Sequence, residues 1–193
     1  MVKLKEEWIA ALSSPEDSTR AEAARQIYAA GRSRAEQAMQ RWLHNADFAR
    51  LIGKNLEMTV GLAVRGETFA QVRGANGWPR LAEVPPEQDA SEFTLHFEGG
   101  VTLDVLTSRN PEGAGAIAKF LLKFGEGVQQ VEFRCSDVNR ATANLRDQFG
   151  VVPIYPEARP GADGTLVNFF LAGAADGKKV LLELYEPGAI RFA

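Results

Sequence analysis

Two acidic side chains stand out because each lies between apolar residues in a segment that alternates apolar and polar positions. Asp104 follows Leu103 and precedes Val105, and Glu183 has a leucine on either side. A carboxylate on a largely buried strand is costly to bury without a partner. We therefore expect a cation or an arginine to meet each of these acids.

Other polar residues share the strand parity of these two acids. Side chains alternate between the two faces of a strand, so residues two positions apart lie on one face. If two similar modules of strands pack side by side, their polar strand faces line one concave surface. Such a surface is the default place for a ligand. The predicted set comprises Thr59 and Arg65 in one opening strand, Asp104 in its closing strand, Gln130, Glu132 and Arg134 in a second opening strand, and Glu183 in its closing strand.

The first half of the predicted sheet begins at Met58, where apolar residues start to recur with a period of two. A strand pair at 92–98 and 101–107 is joined through Gly99 and Gly100, which is a strong hairpin signal. These segments predict one opening strand and a closing hairpin.

His96 lies on this hairpin, and the length of the turn decides its face. A two-residue turn would pair His96 with Leu103, on the face opposite Asp104. A three-residue turn would reverse that parity and bring His96 to the face of Asp104. The sequence leaves both turns open.

The second half repeats the pattern. Residues 114–124 predict a short helix, alternation from 128 to 135 predicts a strand, and Asp137 predicts the N-cap of a helix that runs to about Phe149. Three further strands are predicted at 151–154, 167–171 and 180–185. The order strand, helix and three strands recurs in the first half with a shorter middle, which indicates an internal duplication.

These elements predict an α+β fold of paired βαβββ modules that form a cupped, barrel-like mixed sheet. Module one is expected at 56–113 and module two at 114–193, while residues 1–55 predict an N-terminal helical hairpin. Ser14 and Pro15 start its first helix, which is expected to end at Gly31, and Ser33 repeats the capping signal.

Composition excludes several classes of function. The formal charge of −3 and the pI near 5.5 give no basic field for a nucleic acid. The charged N-terminus and the lack of a long apolar run predict no membrane segment, and we expect a cytoplasmic protein. Cys135, the single cysteine, is expected to be a buried structural thiol.

Several segments resemble one family. Residues 116–131 (AIAKFLLKFGEGVQQV), 157–165 (EARPGADGT) and 180–187 (VLLELYEP) closely resemble the second module of methylmalonyl-CoA epimerases. Residues 61–64, 84–88 and 103–106 resemble the first module more weakly. The chain is identified by this resemblance as a member of the vicinal oxygen chelate superfamily, which includes glyoxalases, bleomycin resistance proteins and dioxygenases.

The resemblance implies a metal site and a base. It places the two metal-binding histidines of the family at Thr59 and Gln130, and its two other ligands at Asp104 and Glu183. It places the base that abstracts the α-proton of an acyl-CoA thioester at Glu87. Because threonine and glutamine are weak, hard ligands, we expect either magnesium, calcium or manganese at this site, or no metal at all.

The leading functional hypothesis is a divergent protein that binds a small molecule, with an acyl-CoA as the candidate, without a histidine-based metal site. Arg65, Glu132, Arg134 and Arg159 are the candidate ligand-binding residues. One alternative is an active acyl-CoA epimerase or isomerase with Glu87 as base. Another is an interaction module that acts through the N-terminal helices. The family implies a homodimer as the candidate assembly.

Overall fold

The computed structural model describes residues 6–53, 56–173, 177 and 179–188. The predicted boundary after residue 55 and the predicted chain-end bounds at 1 and 193 lie outside the described residues. In chain order the elements are α1 Glu6–Ala11, α2 Asp17–Leu43, α3 Ala46–Ile52, β1 Met58–Ala63, α4 Gly66–Ala75, β2 Ala90–Phe97, β3 Val101–Ser108, α5 Ala116–Phe124, β4 Gly127–Arg134, α6 Val138–Phe149, β5 Arg159–Pro160, β6 Leu166–Gly173 and β7 Lys179–Glu186.

Residue contacts divide the chain into two compact units. What we call the first unit contains residues 2–31 and 59–129, and the second contains residues 32–58 and 130–193. This grouping assigns the N-terminal residues to both units, whereas the sequence predicts a separate N-terminal domain. The predicted domain bounds therefore stay a prediction.

The first unit is built on three strands in the order β2-β3-β1. β1 runs parallel to β3 and β2 runs antiparallel to it, so the sheet of this unit is mixed. Helices α4 and α5 contact β3. Phe69 of α4 meets Phe93 of β2 edge to face with ring centroids 4.8 Å apart, and this pair anchors the helix on the apolar face of the strands.

The hairpin between β2 and β3 has a three-residue connection, so the two-residue alternative is wrong. Phe97 pairs with Val101, which leaves Glu98, Gly99 and Gly100 in the turn. Both glycines have positive φ, +77° and +74°, which a residue with a side chain rarely adopts.

The second unit contains four strands in the order β4-β7-β6-β5. β4 and β7 are parallel, and β6 is antiparallel to both β7 and β5. The Asp137 side chain caps α6 by accepting a hydrogen bond from the backbone N–H of Arg140 at 2.9 Å, as predicted. Contacts of α6 with β6 and β7 hold this helix on the strands.

The strand predicted at 151–154 is wrong. This segment makes one isolated bridge, from Pro153 to Phe170, and the short strand of the module is instead β5. Proline has no backbone N–H to donate to a ladder, and the flanking Val152 is 78% exposed. An apolar run of this kind therefore does not become a strand.

The α+β class and the order strand, helix and three strands in the second module are confirmed. Among the described residues the first module has two strands after its helix, where the predicted order has three. One hydrogen bond, from the backbone N–H of Ala82 to the carbonyl of Glu92 at 3.0 Å, lies where the additional strand would run.

The N-terminal region is helical, as predicted, but the break predicted at Gly31 is wrong because α2 continues to Leu43. A Cβ at Gly31 would lie 2.7 Å from Cγ1 of Val60. The glycine therefore permits close packing of α2 on β1 and does not end the helix.

Among the described residues, none of the helices combines the length and the hydropathy that a membrane span requires.

Candidate functional site

The second unit carries a polar face on β4 and β7. Glu132 pairs with Glu183 and Arg134 with Tyr185 in the parallel register. Since alternate residues share a face, Gln130 lies on the same side as these four. The structure thus places one polar face as strand parity predicts, with the side chains of Gln130, Glu132, Arg134 and Glu183 on the same side of the sheet.

Gln130 joins the two acids of this face. Its Nε2 donates hydrogen bonds to Oε2 of Glu183 at 2.7 Å and to Oε1 of Glu132 at 3.1 Å. Gln130 is 7% exposed and Glu183 is 9% exposed. An amide oxygen turned toward the carboxylates would repel them, so the nitrogen must face the acids. The amide group of Gln130 therefore holds a carboxylate pair in place.

Tyr185 adds a phenol to the same face. Burial, together with the negative charges of Glu132 and Glu57, raises the pKa of Tyr185 to about 12, although the charge of Arg134 acts to lower it. The phenol is therefore neutral at pH 7, and its O–H is available as a donor. Sequence reasoning missed Tyr185, although it has the parity of Glu183.

Arg134 meets a carboxylate that the sequence did not indicate. Its Nη1 lies 3.1 Å and 3.0 Å from the two carboxylate oxygens of Glu57, and its backbone N–H donates to the carbonyl of Glu57. The hydrogen bond that the guanidinium donates to Glu57 raises the pKa of Arg134. Glu57 precedes β1, outside any periodic pattern, so no sequence signal could have identified this ion pair.

The first unit has its own polar face. Thr94 pairs with Asp104 across β2 and β3, and its hydroxyl donates to Oδ1 of Asp104 at 3.2 Å. Asp104 is 7% exposed, and its neighbour on β1 is Gly61, which has no side chain. Thr59 lies two residues before Gly61 on this face and is half-buried.

Arg65 and Glu87 lie outside the strands, whereas Arg159 lies on β5, where it pairs with Val167 in the row of Tyr185. Arg65 is exposed at the start of α4, where its backbone N–H donates to Glu126 at 2.7 Å. Glu87 is exposed in a 3-10 turn. Arg159 stacks over the ring of Tyr155 at 4.2 Å. Their predicted roles in ligand binding and catalysis stay predictions.

The metal that the family resemblance implies can be tested against the donors of the second unit. Gln130 donates one N–H to Oε2 of Glu183, so its amide meets this acid as a hydrogen-bond donor and does not turn its oxygen toward a shared cation. The described residues contain no group of three or more His, Cys, Asp or Glu side chains suited to a metal. An amide and a hydrogen-bonded carboxylate do not fit a transition-metal ion, which prefers imidazole or thiolate.

Solved structures of epimerases match the chain. Methylmalonyl-CoA epimerase from Mycobacterium tuberculosis is 31% identical with a TM-score of 0.55, and the match covers 72% of this chain and 91% of that one. A variant of the Streptomyces coelicolor epimerase in complex with 2-nitronate-propionyl-CoA is 28% identical with a TM-score of 0.54, covering 68% of this chain and 96% of that one.

A methylmalonyl-CoA epimerase in complex with methylmalonyl-CoA and NH4+ is also 28% identical, with a TM-score of 0.55, and the match covers 72% of this chain and 100% of that one. No family model matches the chain, and no curated protein matches it.

Proposed function

Since the chain belongs to the vicinal oxygen chelate superfamily, among the relatives of methylmalonyl-CoA epimerase, we propose that it binds an acyl-CoA on its polar sheet faces without a histidine-based metal site. Solved relatives hold methylmalonyl-CoA and a propionyl-CoA analogue. A ligand of the same chemical class is the natural candidate for a chain that covers nearly the full length of those proteins.

The observation that carries this proposal is the hydrogen bond from Gln130 to Glu183. Gln130, at a position that the resemblance assigns to a histidine ligand, donates an N–H to Oε2 of Glu183 at 2.7 Å and so acts as a hydrogen-bond donor to this acid. Charge-assisted hydrogen bonds of this length are among the strong ones. The contact gives buried Glu183 the partner that its burial requires, and no metal is needed for that purpose.

The polar face of the second unit also has an apolar border suited to an acyl chain. Phe169 of β6 is the neighbour of Glu183, and Leu171 is the neighbour of Leu181. Leu171 is 51% exposed, so its side chain is accessible to a ligand. An acyl group on β6 would thus lie on the same face as the hydroxyl of Tyr185, which can donate to one of its oxygens.

Calorimetric titration of the full chain with methylmalonyl-CoA tests the proposal. We expect saturable binding whose affinity changes less than twofold after dialysis against EDTA. Leu171→Ser should weaken binding about fivefold because apolar contact is lost, while Leu122→Ser, at a position that is 89% exposed on α5, should not. Absence of binding, or loss of binding after EDTA treatment, would contradict the proposal.

A further inference from the structure

His96 lies on the face of the first unit that carries Asp104. The three-residue turn pairs Thr94 with Asp104 and His96 with Thr102. Thr94 and His96 are exposed. Phe93 and Leu95, which alternate with them along the strand, are buried on the other face. The imidazole of His96 therefore projects from the polar face and does not contribute to the core.

The rows of this face place His96 in line with Thr59. Val60 pairs with Leu103 in the parallel register of β1 and β3, so Thr59 falls beside Thr102, one step earlier on both strands. His96, Thr102 and Thr59 thus form one row across three strands. The chain has an imidazole in the same row as the threonine, two strands away.

His96 can donate a hydrogen bond, and oxygen acceptors lie near it on the same face. The carboxylate of buried Asp104, held by the Thr94 hydroxyl, lies diagonally across from His96. An imidazole offers one N–H donor when neutral and two when protonated. The ring can then direct a polar atom to a ligand oxygen on the open side of the strand.

We propose that His96 is a ligand-binding residue whose ring N–H donates a hydrogen bond to a carbonyl or carboxylate oxygen of the acyl-CoA. This inference rests on the proposed function and names a donor on the polar face of the first unit. A thioester carbonyl that no metal polarises needs N–H or O–H donors in its place. His96 is such a donor, and its exposure leaves it accessible to a ligand.

The chain offers a matched control because it has two histidines. His44 is exposed just after α2, and its Nδ1 lies 2.6 Å from the carbonyl oxygen of Gln40. We expect His96→Ala to weaken methylmalonyl-CoA binding about fivefold to tenfold, the loss of one hydrogen bond. His44→Ala should bind like the wild type, and His96→Gln, which keeps an N–H donor at similar reach, should recover part of the affinity.

Nitrogen NMR of the imidazole rings gives a second readout on the wild-type chain. Methylmalonyl-CoA should shift the ring nitrogens of His96 and leave those of His44 in place. Equal affinities of wild type and His96→Ala, with unshifted His96 nitrogens, would overturn the role of His96 alone. A wild-type chain that binds no methylmalonyl-CoA would overturn the proposed function and this inference with it.

Discussion

At the scale of single residues, the amide of Gln130 is the contact on which the second unit's polar face depends. One nitrogen donates to Glu132 and to Glu183, so two acids on neighbouring strands share one donor group. Removing a partner from a buried hydrogen bond costs more than the bond itself contributes, because the remaining group stays desolvated. The two carboxylates would then repel each other without a donor between them.

Gln130→Leu should therefore lower the free energy of unfolding by about 1 to 3 kcal/mol, since it leaves Glu183 buried without this donor. Urea unfolding measures the change. Gln129→Leu is the matched control, because Oε1 of Gln129 is buried with no hydrogen-bond partner, and its removal should be neutral or stabilising. Equal losses in the two variants would contradict the role given to the Gln130 amide.

Strand parity could predict which residues share this face, because a period of two is fixed by backbone geometry. Gln130, Glu132 and Glu183 were placed together in this way. The partners within the face could not be predicted, since side-chain contacts depend on the register between strands distant in sequence. Glu57 shows the limit, because a residue before the first strand carries no pattern that points to Arg134.

At the scale of elements, α2 shows how packing overrides a local stop signal. Glycine within a helix costs about 1 kcal/mol relative to alanine, which is too little to end a helix held by tertiary contacts. Gly31 lies where Val60 of β1 approaches α2. The branched side chain of Val60 is restricted at χ1, so it cannot easily move aside.

The same substitution should have opposite signs in two helices of the first unit. Gly31→Ala should destabilise the protein by about 1 to 3 kcal/mol, because its Cβ would meet Val60. Gly74→Ala in α4 should stabilise it by up to about 1 kcal/mol, since its Cβ would come no closer than 3.4 Å to Trp78. Thermal unfolding compares the two.

Val60→Ala added to Gly31→Ala should recover part of the loss, because it removes the methyl groups that the new Cβ meets. A stabilising Gly31→Ala would show that packing on Val60 does not govern this position.

Elements with a sustained periodic pattern could be predicted from the sequence. Elements whose existence or turn length depends on a few backbone hydrogen bonds could not. The strand predicted at 128–135 follows from alternation, and the strand predicted at 180–185 follows from its run of strand-forming apolar residues. The segment 151–154 is apolar enough for a strand, yet Pro153 leaves it one bridge. The turn length at Gly99 and Gly100 was open because both turns accept glycine, and only the register resolved the face of His96.

At the scale of the whole molecule, Cys135 reports on the integrity of the core. The thiol is 2% exposed, and burial raises its pKa to about 12. The stability linked to this shift is complete below the ordinary thiol value of 9.0 and is lost as the pH rises toward 12. The buried structural thiol predicted from the sequence is confirmed.

Native Cys135 should resist iodoacetamide at pH 8, because its thiolate fraction is about a thousandfold below that of an ordinary thiol. Mass spectrometry should show no alkylation over a time in which the urea-unfolded chain is fully alkylated. Rapid alkylation of the folded protein would show that this part of the core opens readily.

The central claim concerns the whole molecule: a relative of methylmalonyl-CoA epimerase that binds its ligand without a histidine-based metal site. The most direct measurement is the metal content of the full chain purified without chelators, determined by inductively coupled plasma mass spectrometry. We predict far less than one equivalent of cobalt, nickel or zinc per chain. One equivalent of any of these metals, retained on dialysis and released when Glu183→Ala is introduced, would contradict the account.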